Sequence, residues 1–130
     1  MKGVAAEHSV EPSEIPNELC HAASVLLTDA ETLLALECSE LDHTGVFTPS
    51  ALVLTDRRLI VCRRDGPTWM PVASVALTEL REVRHKELQG VSVLEGHTET
   101  KAVALGCFTR AHARGAARIA ALSNARLTHT

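Results

Sequence analysis

Residues 51–62 read ALVLTDRRLIVC. Two aliphatic runs, Ala51 to Leu54 and Leu59 to Cys62, flank a polar break in which Thr55 and Asp56 carry oxygens able to bond turn amides. The runs are too short for helices and nearly continuous in apolar character, which suits strands with one face on a core and the other partly covered. The stretch therefore reads as a tight hairpin. Working outward, similar segments fall near 32–40, 50–55, 58–63, 68–77, 81–87, 90–95 and 100–105, with turn chemistry at Asp65-Gly66-Pro67, Gln89-Gly90 and Glu95-Gly96-His97. About seven short strands with close turns predict a sandwich or barrel.

The period changes at both ends. Toward the C-terminus, Phe108, Ala113, Gly115, Ile119 and Leu122 follow one face and Arg110, Arg114 and Arg118 another, predicting an amphipathic helix from about 108 to 125. Thr109 is its expected cap, with Phe108 stapled onto Ala113. Phe108, Ile119 and Leu122 are expected to bury against Leu54, Val61 and Val103. Toward the N-terminus, Ile15, Leu19, Ala22, Ala23 and Leu26 share a helical face, with Pro16 in the first turn, so a short helix is expected over 15–27. Residues 1–14 hold Glu7, Glu11 and Glu14 and scarcely any large apolar side chain, the composition of a mobile acidic tail. One domain, residues 28–126, remains.

Composition narrows the function classes. A chain of 130 residues buries one core of ordinary size. Its only aromatics are Phe47, Trp69 and Phe108, so branched aliphatics must fill a β-rich interior. No apolar stretch approaches the roughly 20 residues needed to span a bilayer, and residues 1–14 lack a secretory apolar core, so a cytoplasmic location is expected. Cys20, Cys38, Cys62 and Cys107 stand apart with no CxxC spacing, which predicts small buried hydrophobes in place of disulfides. Nine acids against Lys2 give residues 1–50 a charge of −8, and twelve bases against seven acids give residues 51–130 a charge of +5.

Leu54, Thr55, Asp56, Arg58 and Leu59 match an lvlTdxRLi pattern; Leu77, Leu80 and Val83 stand three apart as in an "ipl..I..v" segment; Asp29-Ala30-Glu31 precedes the first strand like a "gE". On these residues the chain resembles the bacterial pleckstrin-homology-like (PH-like) domains, related in fold to eukaryotic PH and GRAM domains. The resemblance implies a mainly β fold with α: a PH-like barrel or sandwich of about seven antiparallel strands, a C-terminal capping helix and here an extra N-terminal helix. It also implies a non-catalytic role. Two departures stand out. The C-terminal helix has no tryptophan, and the first hairpin, ETLLALECSELDHTG, is acidic where phosphoinositide-binding PH domains are basic.

Arg57, Arg58, Arg63 and Arg64 form the densest basic cluster, the two pairs lying about 20 Å apart along one strand. They are the candidates for an anionic surface or acidic partner, against the plainer reading of solvated turn charges. The stripe of Arg110, Arg114 and Arg118 lacks the aromatic platform that nucleic-acid binding needs, and the chain is mildly acidic, so no nucleic-acid partner is expected. The seven histidines show no HExxH-like frame, and Cys20, His21, Cys38 and His43 are poorly spaced for a metal; no metal or cofactor is expected. GxSxG, GxxxxGK[ST] and GxGxxG are absent, so an enzyme is not expected.

The strand around REVRHKE looks like an edge protected by charge, and the one holding Trp69, Met70, Val72 and Val75 places apolar groups beside Pro71, which suits another edge. Trp69, Met70 and Val72, with Leu19 and Leu26 of the N-terminal helix, are the expected interface residues. The function expected is a protein-interaction module, docking a partner or a second copy. Peripheral binding to an anionic membrane is the second reading, and an enzyme of unrecognised type is the outsider.

Overall fold

A computed structural model describes residues 27–127 apart from 29. The tail expected over 1–14 and the N-terminal helix, Leu19 and Leu26 included, lie outside the described residues. Seven antiparallel strands form two sheets. The first runs in the order β1 (Leu33–Leu41), β2 (Phe47–Thr55), β3 (Arg58–Asp65), β4 (Thr68–Ala76), and the second β5 (Glu82–Leu88), β6 (Val91–His97), β7 (Ala102–Phe108). Helix α1 (Ala113–Ala125) packs against β5, β1 and β6. The arrangement is consistent with PH-like topology.

Period-two alternation explains the core. Leu52 and Leu54 on β2, with Leu59 and Val61 on β3, point inward and meet Leu94, Leu105, Phe108 and Ile119 of the second sheet and helix. The intervening Ala51, Val53, Ile60 and Cys62 form a separate cluster on the other face of the first sheet. Between the sheets, Leu77–Glu79 makes a 3-10 turn, so the spacing by three that brings Leu77, Leu80 and Val83 into one core reflects that turn and not a strand.

Several expectations are corrected. Gly96 lies inside β6 and marks no turn: a Cβ there would meet Leu80 Cδ2 at 2.9 Å, so the glycine admits a packed leucine. The chain reverses instead at Thr98, whose amide and hydroxyl both bond Lys101 O. By contrast Gln89 and Gly90, with φ of 53° and 84°, form the two-residue turn between Leu88 and Val91 that their types suggest. β2 begins three residues before the expected 50, and it holds Pro49 where the register to β1 shifts, beyond the last pair to β3 at Ser50.

Phe108 ends β7 and does not open the helix, and Thr109 makes no side-chain cap; its hydroxyl donates to Glu40 instead. Leu122 is 36% exposed, because α1 turns Ala116, Ile119, Ala120 and Ser123 inward and leaves position 122 at the margin.

β5 is a sheet edge, and it is stopped by a side chain. The Val83 amide donates to Asn124 Oδ1 at 2.8 Å and Asn124 Nδ2 donates to Val83 O at 2.9 Å, the pairing a neighbouring strand would supply. Asn124→Ala removes both bonds beside a buried residue. A loss of about 2 kcal/mol in denaturant unfolding is the expected outcome.

Candidate interaction site

The Thr55 to Arg58 turn is held from upstream. Arg58 Nε and one terminal nitrogen donate to Glu31 at 2.8 and 3.0 Å, a forked pair in which the Glu31 side chain is 2% exposed. The Thr55 hydroxyl donates to Glu31 Oε2 at 2.9 Å and accepts from the amides of Arg57 and Arg58, each at 3.0 Å. Asp56 Oδ1 accepts from the Thr32 amide at 2.9 Å, and its own amide donates back to Thr32 O. The Arg58 guanidinium outweighs burial and holds the Glu31 carboxyl down at about 2. Two pieces of the sequence pattern, Glu31 and the TDxR turn, thus meet in one clamp.

The four arginines divide accordingly. Arg58 serves the clamp. Arg64 sits over the Trp69 ring at 5.9 Å and donates from Nε to Gly66 O at 3.1 Å. Arg57 and Arg63 are exposed and have no ion-pair partner among the described residues, at opposite ends of β3. The structure does not gather the four into one cationic site.

The β4 residues divide in the same way. β4 pairs only with β3 and so forms one edge of its sheet among the described strands, β1 forming the other. Trp69 turns to the outer cluster and is 9% exposed, its indole nitrogen buried with no hydrogen-bond partner among the described residues. Met70 and Val72 are 45% and 38% exposed on either side of Pro71. Arg63 stands across from Met70, in register.

Sequence reasoning missed Val46 and Phe47, which are exposed at the turn between β1 and β2, Phe47 by 80%. The signal was present: two large apolar residues directly follow Asp42-His43-Thr44-Gly45. β2 runs past its last pair with β3, Ser50 to Arg63, so Phe47 lies at the same end of the sheet as Met70. The turn is rigid, because Asp42 Oδ1 accepts from the amides of Thr44 and Val46 and from the Thr44 hydroxyl. Burial alone would raise the Asp42 carboxyl, but the Thr44 hydroxyl and the two amides outweigh it and its pKa falls.

Of the remaining acid–base pairs, Glu37 on β1 meets His112 Nδ1 at 2.7 Å just before α1 and so joins two elements, whereas Glu95 and His97, 3.0 Å apart, both stand on β6. A depression of about 590 Å³ lined by Asp56, Leu77, Thr78, Leu80 and Arg126 borders the clamp. Among the described residues no three His, Cys, Asp or Glu side chains are grouped to hold a metal ion, and no helix is long and apolar enough to cross a membrane. Cys62 is buried, and burial pushes its thiol up to about 11. Compared with known proteins, the chain matches no family model, no curated protein and no solved structure.

Proposed function

We propose that this chain is a member of the bacterial PH-like group acting as a non-catalytic interaction module, which engages a protein partner, a second copy included, along edge strand β4. The observation that carries it is the pairing of an open sheet edge with exposed apolar groups: Met70 and Val72 flank Pro71 on a strand bonded on one side alone among the described strands. β5, an edge of the second sheet, bears Arg84, Lys86 and Glu87 and is stopped at Val83, so these two edge strands differ in kind.

Sedimentation velocity over micromolar to 100 µM protein tests the self-association branch. A mass rising above 14.0 kDa with concentration, and returning to it in Met70→Glu/Val72→Glu, is the expected result. A 14.0 kDa mass throughout removes that branch.

Peripheral binding to an anionic membrane is the second reading, favoured by one arrangement: Val46 and Phe47 project at the end of the sheet that also carries the exposed Arg63. Cosedimentation with anionic vesicles, lost at high salt and in Phe47→Ser/Arg63→Ser, would move the proposal from a protein to a lipid surface.

A further inference from the structure

Helix α1 is charged against its own dipole. Its first turn holds no acid and its last turn no base, while Arg114 is its second residue and Arg118 stands one turn further on. Arg110 lies in the 3-10 turn Arg110–His112 that leads into it. A helix N-terminus carries partial positive charge, so cations there are unfavourable, and like charges four residues apart repel. From Thr109 to Arg126 the chain has no Asp or Glu to offset them. All three arginines are exposed, and none has an ion-pair or hydrogen-bond partner among the described residues. The two β1 acids that reach this segment are engaged elsewhere, Glu37 with His112 Nδ1 at 2.7 Å and Glu40 with the Thr109 hydroxyl at 3.3 Å.

The fold makes no use of these charges. α1 buries Ala116, Ile119, Ala120 and Ser123, and at about 100° per residue Arg114 and Arg118 fall on the opposite side. A feature that weakens its own helix and is paired with nothing in the described chain points to a partner that brings the negative charge. Spacing and chemistry narrow that partner. Arg114 and Arg118 are about 6 Å apart along the axis, the step between carboxylates four residues apart on a helix and close to the step between alternate residues of an extended strand. The guanidinium fork matches a carboxylate. A membrane fits less well, because the apolar side of α1 is already in the core and its outer side offers only Leu122, 36% exposed, as a large apolar group. A nucleic acid is opposed by the formal net charge of −3 and finds no aromatic residue on the helix.

We propose that the outer side of α1 is a docking surface for an acidic protein segment, whose carboxylates pair with Arg110, Arg114 and Arg118. The surface is separate from the β4 edge, since α1 packs on β5, β1 and β6, and it stands or falls independently of that edge.

Fluorescence anisotropy of the full chain with a labelled octaglutamate peptide, and octaglutamine as its uncharged control, tests the proposal at low and at physiological salt. Binding of octaglutamate that weakens with salt is expected, with a loss of roughly tenfold or more in Arg114→Gln/Arg118→Gln and no change in Met70→Ser/Val72→Ser. No binding of octaglutamate, equal binding of octaglutamine, or equal affinity in the arginine variant overturns the proposal. Loss in the Met70 and Val72 variant alone overturns it as well, by placing the contact on β4. Tighter binding of anionic vesicles or of single-stranded DNA, abolished by the arginine substitutions, would assign the row to lipid or nucleic acid and overturn it too. Thermal unfolding supplies a second arm. Because the row opposes the helix dipole, Arg114→Gln/Arg118→Gln is expected to raise Tm by roughly 2 °C at low salt while binding falls. A lowered Tm would show that the row serves the fold, against the proposal.

Discussion

Arg58→Ala is expected to destabilise the chain by about 3 kcal/mol in denaturant unfolding. The substitution leaves the Glu31 carboxylate, 2% exposed, without its forked partner, and Thr55 then shares one end of an uncompensated charge. The shift of Glu31 from 4.5 to about 2 converts to the same order, about 3 kcal/mol. Arg58→Lys keeps the charge but loses the fork and should recover only part of the loss. The pH dependence has a definite sign. A carboxyl depressed in the folded state contributes its stability above the unfolded value and loses it as pH falls. Stability should therefore be flat in this contribution above about pH 5 and decline between 4.5 and about 2. In Glu31→Gln that share of the acid slope should disappear. Urea midpoints at pH 7, 4 and 3 for the parent and Glu31→Gln measure it; parallel curves would contradict the clamp.

Phe108→Ala is expected to destabilise by about 3 to 5 kcal/mol. Phe108 is 1% exposed and stands among the largest fully buried side chains, packed in the core that joins both sheets to α1. Its seat depends on Gly106, where a Cβ would meet the ring at 2.6 Å (Cε2) and 2.8 Å (Cζ). A ring held by the core yields less readily than a flexible chain end, so Gly106→Ala alone should cost about 1 to 3 kcal/mol. With the ring removed, the methyl gains room. In the Phe108→Ala background Gly106→Ala should therefore be close to neutral, and the double-mutant cycle should show a coupling comparable to the single effect. Additive losses would show that Gly106 acts through its backbone and not through the ring.

The two clusters around the ALVLTDRRLIVC hairpin illustrate how much of the fold the residues carry locally. Continuous apolar runs announced strands covered on two sides, and the structure places Leu52 and Leu54 on one face and Ala51 and Val53 on the other. The edges were legible for a similar reason: REVRHKE carries alternating charge, and Pro71 lacks the N–H that a central strand needs. The candidate site was less legible. Four arginines close in sequence look like one patch, but a β-strand sends neighbours to opposite faces, and Glu31, 27 residues from Arg58, takes one of them. Trp69 looked like an edge anchor because it stands with Met70 and Val72 beside Pro71; alternation turns it to the buried face instead.

Sequence by itself determined the strand count, the turns at Gly66 and at Gln89-Gly90, the C-terminal helix and the edge character of β4 and β5, because turn chemistry and apolar period are local properties of the chain. Only the tertiary structure decided where the period breaks. Leu105 stands as an extra residue where β7 slips against β6, so that Leu105 and Phe108 both reach the core although strict alternation would separate them. It also decided that Gly96 serves Leu80, that Asn124 closes the β5 edge and that Arg58 belongs to Glu31. Each of these depends on residues distant in sequence whose separation is set by how the two sheets and the helix pack, a quantity no window of neighbouring residues contains.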